Sequence, residues 1–546
     1  MPSSPELEDG DGASRPLLAD QRESRDAGPE DAAAAPPSAP ARDRGTFTKN
    51  LGALEAFAIV ISIVIGSGIF TSPGSIDTNV PSPGAALVVW LIGGVLAWTG
   101  ASTMAELGTA IPGEGGVQPY LQYIFGDVFG FLAAWTWIVA VMPATLAILS
   151  IVFVESIYSA MGVTDQADRI EHKLFSILIL AVISVANSIS TKASTRLNNF
   201  FVVTKFVSIA AIVVAGIVVV ILQSTDPQRE DIGGRDWYDK PWFGNREVTN
   251  PDGSKTNWDG LGEWEILGHY SAALYGALWA YSGWDKAIYV SAELRSPARQ
   301  LPLAINTAIP TIVLCFITAN AAYYILLPWD VVSTTDSVAV TAITRLLGRG
   351  FGIVAAILIC LVVAGSLLGN SFVAGRMAVA AANMNWLPRI FATVGRIGLK
   401  PKEEERNGGG QEEEEETESP NNAAGPPQTT KSDAPINAII LSTILSALYI
   451  LLGNFRALLT FNGLGEYSFF FLTVVGAIVL RFREPGLRRP YKPFVLVPAV
   501  FAVVSGFVVI RGAFFAPVLA LVVIVVWVIG LVFYYARRRL AARRVE

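Results

Sequence analysis

The stretch Ile61-Ser62-Ile63-Val64-Ile65-Gly66-Ser67-Gly68-Ile69-Phe70-Thr71-Ser72-Pro73 sets two glycines and a serine in the middle of a strongly apolar run, where a membrane helix should be continuous. Backbone N–H and C=O groups left unpaired at membrane depth are tolerated only where they line a cavity or bind something. A second interruption of the same kind stands at Tyr281-Ser282-Gly283-Trp284, inside another long apolar segment. Two broken helices at corresponding places in two halves of a chain point to the substrate site of a secondary transporter.

Composition supports the membrane reading: 52% of residues are apolar, 16% are charged, and the mean hydropathy is +0.47. Apolar segments of the roughly 20 residues needed to cross a bilayer recur along the chain. The expected spans are 53-75, 84-110, 118-155, 174-190, 197-223, 266-292, 302-327, 352-384, 435-453, 458-480, 493-510 and 513-536. The predicted fold class is therefore an all-α polytopic membrane protein with twelve transmembrane helices, of which helices 1 and 6 are broken. The lipid bilayer is one expected partner. The first 45 residues have no apolar core and carry ten acidic against five basic side chains, so no cleavable signal peptide is expected.

Lys and Arg in short connections are retained on the cytoplasmic side. With the N-terminus inside, the inner connections hold 14 such residues, including Lys192, Arg196, Arg295, Arg299 and the clusters 481-492 and 537-544, whereas the outer ones hold 6. Both termini are thus expected in the cytoplasm. Residues 1-45, rich in Pro, Ala, Asp and Glu, read as a disordered tail. Residues 397-434, with Gly408-Gly409-Gly410 and the acidic run Glu412 to Glu416, read as a flexible cytoplasmic loop within a transporter core of 50-540, and 537-546 as a basic tail. The connection 224-265 carries Trp237, Tyr238, Trp242, Phe243, Trp258 and Trp264, enough aromatic surface for a small extracellular cap.

Enzymatic chemistry finds little to work with. The two His and two Cys residues are too few for a His/Cys metal cluster, so no metal and no cofactor are expected. His172 reads as a solvated surface residue, His269 as an interfacial structural one, and Cys315 and Cys360 as packing groups. No phosphate-cradling loop is present, so coupling to ATP within the chain is not expected, and nothing points to nucleic acid.

The two breaks have complementary chemistry. At Gly66-Ser67-Gly68 a half-helix begins, and its free N–H groups and dipole suit an anion such as a carboxylate. Around Trp279 to Ser282 a half-helix ends in free carbonyls, which suits an ammonium group. Together they form a receptor for an α-amino acid zwitterion. The plainer alternative makes both sites glycine kinks for close helix packing.

The runs Ile65-Gly66-Ser67-Gly68-Ile69-Phe70 and Leu278-Trp279-Ala280-Tyr281-Ser282-Gly283-Trp284, with Glu293-Leu294, Pro297-Ala298-Arg299-Gln300-Leu301-Pro302 and Pro328-Trp329-Asp330-Val331-Val332, carry a family resemblance. From about residue 50 to 540 the chain resembles the L-type amino acid transporter family of the amino acid-polyamine-organocation superfamily, and its fungal members more closely. The resemblance implies two inverted five-helix repeats, 50-223 and 266-480, followed by two C-terminal helices in 493-536, working by alternating access. It places the carboxylate-binding backbone on Ile65, Gly66, Ser67 and Gly68, with Ile69 beside it. It places the amino-group carbonyls on Trp279, Ala280 and Ser282, beside Gly283, and gives Trp279 the role of an aromatic gate. Lys205 matches the family's membrane lysine, a built-in cation in place of sodium, which implies sodium independence; the alternative is a lysine snorkelling to the cytoplasmic surface.

Two departures follow. Residues 156-173 lack the outer cysteine that links animal members to a heavy chain, so no disulfide-linked partner is expected and the chain is read as a monomer. Asp285 and Glu466 are acidic where animal members usually have Asn, and in apolar surroundings such charges are costly without a cation. The expected function is secondary active transport of amino acids, by sodium-independent exchange or facilitated transport of neutral, large apolar substrates. The alternatives are proton symport gated at Asp285 or Glu466, carriage of cationic amino acids, or a non-transporting receptor on the same fold. The plasma membrane is the expected location; Ser14-Arg15-Pro16-Leu17-Leu18 would fit a vacuolar address.

Overall fold

The computed structural model describes residues 52–111, 116–163, 169–189, 191–226, 232–250, 253–288, 294–335, 337–393 and 434–542. The tail 1-45 with its Ser14 to Leu18 signal, most of the loop 397-434, Glu293 and the last four residues lie outside them.

The first apolar stretch forms α1 (Ala53–Val64) and α2 (Gly68–Asp77), separated by Ile65, Gly66 and Ser67. Next come α3 (Pro83–Ala110), α4 (Val117–Phe125) and α5 (Asp127–Thr136), which runs through a π turn (Trp137–Val141) into α6 (Met142–Ala160). Helices α7 (Ile170–Ile189) and α8 (Thr191–Thr225) close the first half. A cap follows, built from the short α9 (Asp236–Asp239) and an antiparallel hairpin, β1 (Glu247–Thr249) with β2 (Lys255–Asn257). The second half opens with α10 (Glu263–Ala280), a break, and a 3-10 turn at Trp284–Ile288. It continues with α11 (Pro297–Leu326), α12 (Trp329–Thr334), α13 (Val338–Leu347), α14 (Arg349–Asn383), α15 (Ile436–Leu452) and α16 (Phe455–Arg483). Helices α17 (Leu496–Phe515) and α18 (Pro517–Ala542) end the fold.

Among the described residues nine helices are long and apolar enough to cross a membrane. The other three expected spans are the two broken helices and the 17-residue α15. The chain is therefore a nearly all-α polytopic membrane protein. Burial separates core from lipid-facing helices: the apolar window of Asp127–Ala160 is 89% buried, that of α18 only 17%. A helix apolar all round and buried all round belongs at the centre. On α18, Val518, Leu521, Val528 and Val532 are exposed, as a surface against lipid tails requires.

Two expectations need correction. The span 118-155 is not one helix: Gly126, at φ 98° and ψ 173°, breaks it, and α4 is a separate amphipathic helix before the membrane span proper. The same order recurs in the second half, where amphipathic α13 meets α14 at Gly348, with φ 87° and ψ 172°. His172 is not a surface residue either. It is buried, with Nε2 3.1 Å from Glu155 Oε2 and its ring against Tyr158, because α6 and α7 pack across their connection. His269 joins the cap to the fold, its Nδ1 2.9 Å from Asn79 Oδ1 and its ring against buried Trp258.

Candidate substrate-binding site

The two breaks face each other. A Cβ built on Gly68 would overlap Ala280 Cα and come within 2.8 Å of Ala280 Cβ, so the two chains cross at a point where only glycine fits. Gly283 has φ +104°, and a Cβ there would meet Ile63 Cγ2 at 2.6 Å; both the backbone turn and the contact with α1 need glycine. Behind the second break, Tyr281 packs between Trp90 of α3 and Phe316 of α11, at centroid distances of 6.0 and 4.9 Å. This aromatic group fixes the turn from the side away from the first break.

Between the breaks lies a small cavity lined by Ile63, Val64, Gly66, Ser67 and Gly68 on one wall and by Trp279, Ala280 and Ser282 on the other. Thr145 and Leu149 of α6 and Ser366 and Asn370 of α14 close it. Among the described residues the N–H groups of Gly66 and Ser67 have no acceptor, whereas Ile65 N bonds Ile61 O and Phe70 N bonds Ser67 O, both at 2.9 Å. Opposite them α10 ends. Tyr281 N takes Ala277 O and Ser282 N takes Trp279 O, each at 3.0 Å, and among the described residues no donor reaches the carbonyl of Ala280. Donors thus stand on one wall and acceptors on the other. Trp279 is half-buried over the cavity, and its Nε1 has no acceptor among the described residues.

Of the residues expected from sequence, Gly66, Ser67, Gly68, Trp279, Ala280 and Ser282 line the cavity. Ile65 and Ile69 are fully buried in the surrounding core and Gly283 packs on α1, so these three shape the site from behind. Lys205 is 1% exposed and donates through Nζ to Ser366 Oγ at 3.4 Å, which excludes the snorkelling alternative. Ser366 Oγ is also 3.3 Å from where a Gly66 Cβ would stand, so the Lys205 amino group sits one side chain behind the first break. Asp285 and Glu466 are buried but do not line the cavity. Glu466 is joined to it by a chain of polar contacts: Thr145 Oγ1 donates to Asn462 Oδ1 at 3.4 Å, and Asn462 Nδ2 to Glu466 Oε2 at 3.5 Å.

Sequence reasoning missed Thr145, Ser366, Asn370 and Asn462. Each is an uncharged polar residue in a largely apolar helix, a pattern common wherever a side chain bonds its own helix, as Ser366 does to Val362 O and Asn370 to Ser366 O. Only the packing of α6, α14 and α16 around the breaks distinguishes them.

Two broken helices crossing at a polar cavity inside an apolar bundle define a membrane transporter rather than an enzyme. The chain belongs to the amino acid permease family, which it matches over residues 51–536. It is 29% identical to the b(0,+)-type amino acid transporter 1 of Homo sapiens over 90% of this chain and 88% of that protein. It is 25% identical to the cystine/glutamate transporter of Homo sapiens, over 91% and 86% of the two chains. With the large neutral amino acids transporter small subunit 2 of Mus musculus it shares 26% identity, over 89% and 80%. Family membership assigns amino acid transport to this chain, and the family resemblance read from the two breaks is borne out.

Proposed function

We propose that the chain carries amino acids by alternating access, binding the α-carboxylate at the N–H groups of Gly66 to Gly68 and the α-ammonium at the carbonyls of Trp279, Ala280 and Ser282. The observation that supports this most is the facing of the Gly66 and Ser67 N–H groups and the Ala280 carbonyl, none paired among the described residues, across one cavity. The remaining lining from Ile63, Val64, Leu149 and Trp279 is apolar, which favours neutral substrates with apolar side chains. The cavity is about 30 Å³, space for one or two waters. Substrate therefore enters only after the walls part, with Trp279 as the movable side chain. Lys205 supplies the positive charge behind the first break, and the mode is sodium-independent exchange or facilitated transport. The plasma membrane, with both termini cytoplasmic, is the matching location.

The seat is tested by competition. An amino acid amide, which lacks the carboxylate, is expected to inhibit labelled substrate uptake at least about a hundredfold less well than its parent acid, a loss typical of an unmade charge-assisted contact in a dry site. Equal inhibition would contradict the assignment.

Proton symport is the second reading, favoured by the Thr145–Asn462–Glu466 chain from the cavity wall to a buried acid. A buried carboxylate is costly to keep charged, so a proton taken up by Glu466 would accompany a neutral substrate. On this reading uptake rises several-fold from pH 8 to pH 5, and Glu466→Gln, with no proton to take up, shows a flat profile. A flat profile in the unmutated protein leaves Glu466 with a structural role.

The chain is further proposed to work without a covalently attached partner, on the strength of a cysteine-free 156-173. One relative carries "small subunit" in its name. Purified protein is expected to transport alone, with an apparent size unaffected by reducing agent; recovery of a disulfide-linked partner from native membranes would overturn this.

A further inference from the structure

The cap ends in a buried ion cluster on the broken helix. Asp77, the last residue of α2, is fully buried and accepts from Arg246 Nη2 at 2.5 Å and from the Tyr324 hydroxyl at 2.6 Å. Arg246 comes from the cap, immediately before β1, and Tyr324 from α11. The cap is held at this place by backbone as well: Arg246 N donates to Pro81 O at 3.2 Å and Gly84 N to Trp242 O at 2.8 Å. The guanidinium also lies 5.8 Å from the Trp329 ring, on α12. Burial works against the Arg246 charge; Asp77, Tyr324 and Asp236 work the other way, and together they leave the guanidinium pKa raised.

A buried ion pair is weak evidence for stability, because desolvation offsets most of the attraction, and its best-attested use is to fix one register or switch state. The position of this pair points to what it fixes. Gly68 at the cavity and Asp77 at the cluster are the two ends of one ten-residue helix, about 14 Å apart at 1.5 Å per residue. Along its length α2 touches parts that do not belong to the cap: Gly74 lies against the carbonyl of Thr335, and Ile76 against Gly276 of α10. Any opening of the cavity on the cap side has to displace α2 or the elements packed on it, and the cluster ties the far end of α2 to the cap and to α11.

We propose that Asp77, Arg246 and Tyr324 form a latch through which the cap holds α2 closed over the cavity, and that the cavity opens toward the cap only when this cluster separates. The three are positioning residues; none reaches the cavity. The inference rests on alternating access, but it makes a claim about accessibility that needs no substrate.

The test uses a reporter, Leu149→Cys in the cavity wall with Cys315→Ser and Cys360→Ser, and a membrane-impermeant thiol reagent applied to one side of sealed vesicles at a time. Asp77→Asn is expected to speed labelling from the cap side about tenfold and to slow it from the other side, as a shifted two-state equilibrium requires. Tyr324→Phe, which removes one hydroxyl and keeps the ion pair, should shift both rates in the same senses by a few-fold. Unchanged rates in both variants overturn the latch. So does a rise from both sides, which marks a loosened fold. If Asp77→Asn does not reach the membrane, Tyr324→Phe decides alone. A latch failure appears as unchanged labelling of the reporter while the unmutated chain transports, a failure of the transport reading as no uptake by the unmutated chain.

Discussion

Replacing Gly68 by alanine should lower amino acid uptake by about a hundredfold or more, the scale set by an ångström of misplacement in a preorganised site. A single methyl group there has nowhere to go, because its neighbour is the backbone of Ala280 and not the movable end of a side chain. The two breaks would have to separate, and with them the N–H and carbonyl walls that face each other across the cavity. Gly66→Ala is the internal control. Its methyl group meets Ser366 Oγ at 3.3 Å, a contact relieved by a shift of a few tenths of an ångström, so the loss should be clearly smaller. Uptake per molecule of membrane-inserted protein, measured for both variants, checks this; equal activity of Gly68→Ala and the unmutated protein would show that the crossing does not matter to transport.

The second large effect belongs to Lys205. Uptake by the unmutated protein should not change when sodium is replaced by potassium or choline, on the proposal that the buried Lys205 side chain, bonded to Ser366 behind the first break, stands in for the cation. Lys205→Ala should lose at least about tenfold in uptake, because it removes a charge and leaves a hole between α1, α8 and α14 of the kind that costs about 2–5 kcal/mol for a long side chain. Lys205→Met separates the two causes. Methionine restores most of the volume but no charge, so an activity as low as that of alanine assigns the effect to the ammonium. Recovery with methionine would make the lysine a filler, and a steep sodium dependence in the unmutated protein would refute the built-in cation.

The two breaks were legible in the sequence because they violate a strong rule. Gly66, Ser67, Gly68 and Gly283 stand where backbone must otherwise stay paired, and their neighbours Trp279 and Ala280 follow from position. Lys205 was legible for the same reason, as a charge in an apolar run. What was not legible depends on long-range packing. Gly126 sits between amphipathic α4 and apolar α5, both helical, so the segment reads as one span; the Asp127 after it, at the start of α5, was the available signal. His172 was misread because its neighbours in sequence are polar, while its partner Glu155 lies 17 residues back on another helix. Arg246 and Asp77 are 169 residues apart, one in a polar connection and one at the end of a short half-helix, and nothing local links them. Thr145 likewise meets Asn462 only because α6 and α16 pack side by side, whereas Asn462 and Glu466 are one helical turn apart on α16.

The most direct test of the account is counterflow. Purified protein is reconstituted into liposomes loaded with one unlabelled neutral amino acid, and labelled amino acids are offered outside at several pH values, with and without sodium. The account predicts saturable entry of label that overshoots equilibrium, needs a free carboxylate and ammonium on the substrate, is indifferent to sodium, and vanishes in Gly68→Ala. Entry that ignores the loaded amino acid, is not saturable, or persists in Gly68→Ala would contradict the claim that the crossing of the two broken helices is the transport site.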